Sequence, residues 1–86
     1  MKNVYTFRNR KINAYGDPVV AVEDKEQMAK NVSRFCILER DQALKAHYDE
    51  SELYLIGSWN DEKGKLEQLD EPEFVASFDN LFMKKD

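Results

Sequence analysis

Residues 52–64 read Glu52-Leu53-Tyr54-Leu55-Ile56-Gly57-Ser58-Trp59-Asn60-Asp61-Glu62-Lys63-Gly64. The first eight carry large apolar side chains on both faces, which predicts a strand from Glu52 to Trp59 at the centre of a sheet. The polar residues that follow predict a hairpin loop in which Gly64 takes the left-handed conformation. The chain then returns as a short edge strand from Lys65 to Leu69, whose charges discourage pairing with another chain.

The segment upstream predicts two further strands before the first helix. Residues 4–8 alternate Tyr and Phe with Thr and Arg, which is typical of a strand. A short return strand is expected from Ile12 to Tyr15, and the Gly16-Asp17-Pro18 turn ends it. The apolar run from Val19 to Val22 is either extended or tucked against the core.

One amphipathic helix follows, with Asp24 as its N-cap. Its apolar positions recur every three to four residues, so one stripe faces the core. We expect a break near residues 38–40. Residues 39–47 are compatible with a continued helix, a second short helix or an ordered loop, and a short helical turn from Gln42 to Ala46 is favoured. The core stripe consists of Met28, Val32, Phe35 and Cys36.

A second amphipathic helix is predicted at the end of the chain, because Asp70-Glu71-Pro72-Glu73 combines a cap, a proline for the first helical position and acids for the first turn. Leu55 and Phe78 are expected to be buried between this helix and the sheet. The predicted fold is therefore α+β, a small, mainly antiparallel sheet of three to four strands with two amphipathic helices, in a single domain over residues 1–86. The apolar face of the last helix comprises Phe74, Val75, Phe78, Leu81 and Phe82.

Composition excludes several classes of function. The 86 residues are 42% hydrophobic, which suffices for one small core. No Gly-rich phosphate loop is present, and one cysteine and one histidine cannot build a zinc site. We therefore expect no enzyme, no cofactor and no metal, and the best interpretation of Cys36 is a buried small hydrophobe. No apolar stretch reaches the length of a membrane span, and no secretory leader is apparent.

Charge is distributed unevenly along the chain. The net charge is −4, but residues 1–11 contain four bases and no acid, whereas residues 49–73 contain nine acids and two lysines. One interpretation is a basic end that contacts phosphates, with Tyr5, Tyr15 or Trp59 as stacking faces. Another is a pair of opposite surfaces through which copies associate. The candidate DNA contacts are Lys2, Arg8, Arg10 and Lys11.

The central strand also suggests a protein interface. Strict alternation places Leu53 and Trp59 on one face and Tyr54 and Ile56 on the other. If both helices cover one face, the second face exposes apolar side chains, and we expect self-association, as a dimer. The candidate interface residues are Tyr54, Ile56 and Trp59.

The order of these motifs resembles a small nonstructural protein family of gokushovirus-like microviruses, tailless phages with single-stranded DNA. The family's strand ending in Gly and its Gly-terminated acidic turn are similar to residues 53–57 and 59–64, although Trp59 replaces the usual Phe and Asn60 the usual first Asp. Its segment before the first helix is similar to residues 13–18, and its helix ending in an aromatic is similar to residues 29–35.

The resemblance implies a phage accessory protein outside the capsid that binds single-stranded DNA during genome replication or packaging. It also implies a location in the host cell cytoplasm. The alternative is an adaptor or self-associating module that acts on phage replication or capsid proteins without contacting DNA. The resemblance transfers no catalytic residue.

Overall fold

The computed structural model describes residues 1–78 and confirms the α+β class. Two helices are inserted between the third and fourth strands of an antiparallel sheet, which itself curls. In chain order the elements are β1 (Lys2–Asn9), β2 (Ala14–Tyr15), β3 (Val19–Ala21), α1 (Lys25–Leu38), α2 (Gln42–Asp49), β4 (Ser51–Asn60) and β5 (Lys65–Ser77).

The sheet is built around β1 and β4, which pair along nearly their whole length from Lys2↔Trp59 to Asn9↔Ser51. The short strands β2 and β3 both pair with β1, and β5 pairs with the far side of β4. The predicted hairpin between β4 and β5 is confirmed, and Gly64 has a φ of 63°. Asn60 fixes this turn, because its side-chain oxygen accepts hydrogen bonds from the backbone N–H groups of Glu62 and Lys63, both at 3.1 Å.

A bulge near Gly57 changes which side of the sheet the following residues of β4 face. Tyr5 pairs with Leu55 and Val4 with Gly57, so β4 carries one extra residue there. Because paired residues project to the same side, Trp59 lies on the side of Tyr54 rather than on that of Leu53. The expectation from strict alternation is therefore wrong for Trp59, and its physical reason is the bulge.

The first helix forms as predicted. The Asp24 side chain accepts a hydrogen bond from the backbone N–H of Gln27 at 2.8 Å, and α1 ends at Leu38. The break that follows is also confirmed, and α2 extends the predicted short turn to Asp49. Asp41 caps α2 through the backbone N–H groups of Ala43 and Leu44.

The predicted terminal helix is wrong over the described residues. β5 continues as a strand to Ser77, with Tyr54 opposite Phe74 and Leu53 opposite Ala76. Between the Gly57↔Gln68 and Leu55↔Glu73 pairs, β5 advances five residues while β4 advances two. Pro72 lies in this large bulge, where its missing N–H costs no ladder hydrogen bond. The predicted helix positions Leu81 and Phe82 lie outside the described residues.

The core lies between the helices and one side of the sheet. Tyr5 and Leu53 are fully buried, and Phe78 and Cys36 are almost so. The prediction for Phe78 is thus confirmed in its burial, while Leu55 is only partly buried at the margin of this cluster. Phe35 departs from the predicted core stripe, because 59% of its surface is exposed.

Candidate binding face

The side of the sheet opposite the helices carries a row of aromatic rings. Tyr15 and Tyr54 lie edge to face with centroids 5.6 Å apart, and Tyr54 and Phe74 lie edge to face at 5.7 Å. The row therefore crosses from β2 to β5 over Thr6, the small residue of β1 that pairs with Tyr54. Tyr15 is 50% and Phe74 54% exposed, so rings at both ends of the row face solvent. We call Tyr15, Tyr54 and Phe74 the aromatic row.

A cleft lies beside the aromatic row. It has a volume of about 240 Å³. One wall comes from the β2 end and the other from the large bulge of β5 that contains Pro72. Thr6 and Gly16 both line the cleft, and the Thr6 hydroxyl links them by donating a hydrogen bond to the carbonyl of Gly16 at 2.9 Å. The lining residues are Thr6, Tyr15, Gly16, Ile56, Gln68, Leu69, Asp70 and Pro72.

Polar groups hold the central ring in place. The Tyr54 hydroxyl donates a hydrogen bond to Glu52 Oε1 at 3.0 Å, and Arg8 Nη1 lies 3.5 Å from the same oxygen. Burial raises the pKa of the Tyr54 hydroxyl, and the bond to the Glu52 carboxylate raises it further. The phenol therefore stays neutral at physiological pH and presents an uncharged ring.

Three of the four predicted DNA contacts lie together at the end of β1, but next to acidic residues. Arg8 pairs with Glu52 and also donates to the Asn13 side chain. Arg10 donates to the Asp49 carbonyl from its guanidinium and to the Glu50 carbonyl from its backbone N–H.

Lys11 Nζ lies 3.5 Å from Glu50 Oε2, with 77% of the Lys11 side chain exposed. Lys2 lies at the other end of β1, opposite Trp59. Because side chains alternate, Lys2, Thr6 and Arg8 project to the same side of β1. These four bases remain candidate DNA contacts.

The predicted interface residues share one side of the sheet. Tyr54 belongs to the aromatic row, Ile56 lines the cleft, and the bulge brings Trp59 to the same side. The sequence pattern predicts a helix at Phe74 and so does not indicate this residue as part of the face, whereas the structure places it on β5 beside Tyr54. Among the predicted stacking faces, Tyr15 is exposed but Tyr5 is fully buried, and its hydroxyl donates to the Glu23 carbonyl at 2.7 Å. Tyr5 therefore offers no stacking face.

A second, more apolar cavity of about 350 Å³ opens between the helices and the core. Cys36 lies on its wall, and burial raises the pKa of the Cys36 thiol, which keeps it protonated. This agrees with the interpretation of Cys36 as a buried small hydrophobe. The lining residues are Phe7, Met28, Asn31, Val32, Phe35, Cys36, His47, Tyr48, Ser51 and Phe78.

Metal ligands and membrane spans can be checked over residues 1–78. Within that range the histidine, cysteine and acidic side chains form no group of three suited to hold a metal ion. In the same range, neither helix has the length and apolar character needed to cross a membrane.

The chain is a small α+β domain whose sheet carries an exposed aromatic row on one side. The sequence model of the family described as Phage ORF5 protein matches residues 2–81. The chain therefore belongs to this phage protein family. Neither the curated proteins nor the solved structures gave a match.

Proposed function

We propose that the chain is a non-catalytic accessory protein of a gokushovirus-like phage that binds single-stranded DNA across the open side of its sheet. The aromatic row carries this proposal. Unpaired bases stack on exposed aromatic rings, and each stacked base contributes about 1–3 kcal/mol without regard to sequence. Tyr15 and Phe74, the two exposed ends of the row, are the groups on which we expect bases to stack.

Positive charge contributes to DNA binding only near the basic residues of β1. Arg8 stands beside Tyr15 in the β1–β2 pairing, on the side of the aromatic row. Its pair with Glu52 is partly exposed, with 25% of the Arg8 side chain accessible, and such pairs are weak enough for a phosphate to compete. The overall charge of −4 opposes wrapping of duplex DNA. The proposed role is therefore contact with single strands during replication or packaging in the host cytoplasm.

The adaptor hypothesis is the second candidate, and a different observation favours it. Arg8, Arg10 and Lys11 each contact a residue of the acidic segment 49–52, which lowers their positive potential toward an incoming phosphate. On this hypothesis the same sheet face binds a phage replication or capsid protein. The two hypotheses differ in whether this face of the sheet binds DNA.

Retardation of a single-stranded oligothymidine in a native gel tests the proposal. We expect Tyr15→Leu and Phe74→Leu to weaken binding by about 5- to 150-fold each, the equivalent of one lost stack. Both residues are at least half exposed, so the fold should survive, as circular dichroism can verify. Phe35→Leu is the matched control, since Phe35 is an equally exposed aromatic on α1 that should leave binding unchanged.

Two results would contradict DNA binding on this face: no retardation at low salt, or an equal loss in Phe35→Leu. Absence of retardation, together with capture of a phage replication or capsid protein that Tyr15→Leu abolishes, would support the adaptor hypothesis instead.

The salt dependence of binding tests the basic contacts separately. Lys2 and Lys11 are the candidates whose replacement disturbs the fold least, because Lys11 is largely exposed and Lys2 lies at the end of β1. Lys2→Gln with Lys11→Gln should reduce the slope of log K against log salt by about 1.4, since each phosphate contact on a single strand contributes about 0.7. Lys63→Gln with Lys65→Gln makes the same charge change in the hairpin and should leave the slope unaltered. Equal slopes for the two variants would exclude local phosphate contacts by Lys2 and Lys11.

A further inference from the structure

The helices expose an apolar patch that neither the core nor the aromatic row uses. Cys36 is buried, and at 100° per residue the neighbouring positions 34, 35, 37 and 38 lie on the outer side of α1. Leu38 is 70% exposed. Contiguous exposed apolar side chains on a small domain mark interaction surfaces. We call this the helix patch; its apolar members are Phe35, Ile37 and Leu38 of α1 and Leu44 of α2, exposed by 59%, 56%, 70% and 42%.

Basic residues border the helix patch. Residues 25–48 contain five bases and three acids. Lys30, Arg34 and Arg40 are exposed, and within residues 1–78 no ion pair engages them. The nearest acids are occupied with α2, because Asp41 caps this helix and Glu39 accepts a hydrogen bond from the Asp41 backbone N–H. The patch therefore combines apolar surface with unengaged positive charge.

The β4–β5 hairpin has the complementary character. Residues 60–69 contain three acids and two lysines, and they expose Leu66 by 60% and Leu69 by 37%. β1 pairs with β4 only as far as Trp59, so the tip from Asn60 extends beyond β1. We call residues 60–69 the acidic arm.

The acidic arm and the helix patch belong to different ends of the molecule. Lys25, at the start of α1, forms an ion pair with Glu73 of β5. The helix patch begins ten residues further along α1, roughly 15 Å away at 1.5 Å per residue. The arm contains the opposite end of β5, which begins at Lys65. This arrangement favours contact between copies over contact within one copy.

We propose that the acidic arm of one copy binds the helix patch of a second copy. The occupant of the patch is a second copy of this chain because the arm supplies a partner for each feature of the patch, a net negative charge for its bases and exposed leucines for its apolar side chains. Since the two surfaces differ, the contact is heterologous, and copies add head to tail. Binding buries Leu66 against Leu38 and its neighbours, and the acids face Arg34 and Arg40.

Single substitutions on each surface test the proposal by analytical ultracentrifugation. The wild-type chain should show an average mass that rises with concentration above the 10.1 kDa of one copy. Leu38→Glu disables the helix patch and Leu66→Glu disables the acidic arm, so each variant alone should remain at the monomer mass. Both sites are mostly exposed, and circular dichroism verifies that the variants fold. Val22→Glu, at a 72% exposed position on neither surface, should associate like the wild type.

Mixing the two variants distinguishes this contact from other modes of association. The mixture should form a complex of two chains and nothing larger, because only one intact arm and one intact patch meet. A wild-type chain that stays monomeric at all concentrations would overturn the proposal. So would a mixture that stays monomeric, or a Leu38→Glu chain that still dimerises by itself.

Discussion

Leu53→Ala is expected to lower the free energy of unfolding by about 2–5 kcal/mol, the range for leucines whose removal leaves a core cavity. Leu53 is fully buried, in one cluster with Tyr5, Cys36 and Phe78. A domain of this size has a total stability of about 5–15 kcal/mol, so the variant loses a large fraction of it. Denaturant unfolding followed by circular dichroism measures the difference.

Two other leucines serve as controls for Leu53→Ala. Leu55 projects to the same side of β4 but is only partly buried, so Leu55→Ala should cost less than Leu53→Ala. Leu66 is 60% exposed, and Leu66→Ala should stay within about 0.5 kcal/mol of the wild type. A loss below about 1 kcal/mol for Leu53→Ala, or a larger loss at Leu55 than at Leu53, would contradict the packing described for β4.

The choice between Leu53 and Leu55 shows what the sequence reveals about this core. Local signals suffice for the central strand, for α1 with its Asp24 cap and for the turn at Gly64, since each depends on neighbours in the chain. Burial at a given position depends instead on where the helices end over the sheet. The sequence pattern makes Leu53 and Leu55 equivalent, whereas the core is centred on Leu53.

The terminal segment shows where local signals mislead. Asp70-Glu71-Pro72-Glu73 fits the start of a helix, and the apolar residues that follow have helical spacing. The same proline and acids also suit an edge strand with a bulge, because both discourage pairing at the outer edge. The long-range pair between Tyr54 and Phe74 decides between them, and a local pattern does not contain it.

The candidate site also depends on long-range pairing that the local sequence does not reveal. The aromatic row joins residues that are distant in sequence, and Phe74 enters it only because its segment is a strand. Trp59 reaches the side of Tyr54 only because of the bulge before Gly57. The basic residues were recognisable from composition, but their acidic neighbours at 49–52 come from the pairing of β1 with β4.

Gly57→Ala is expected to destabilise the chain by about 1–3 kcal/mol, the cost of forcing extra volume into a packed site. A Cβ at this position lies 2.3 Å from the backbone carbonyl oxygen of Glu67 and 3.2 Å from the Cα of Gln68. Both neighbours are backbone atoms, so no side chain can rotate aside and β5 itself must move. The same movement disturbs the bulge that sets the alternation of β4, and we expect the fluorescence of Trp59 to change along with the unfolding free energy.

Gly16→Ala is the matched control for this steric argument. A Cβ at Gly16 lies 3.6 Å from the carbonyl oxygen of Phe7, an ordinary contact distance, and neither Gly16 nor Gly57 has a positive φ. The two substitutions therefore add the same methyl group without a conformational penalty and differ only in the space available. Gly16→Ala should leave stability unchanged or raise it slightly, since alanine restricts the unfolded chain. Equal unfolding free energies for the two variants would show that β5 does not approach β4 as closely at Gly57 as the structure has it.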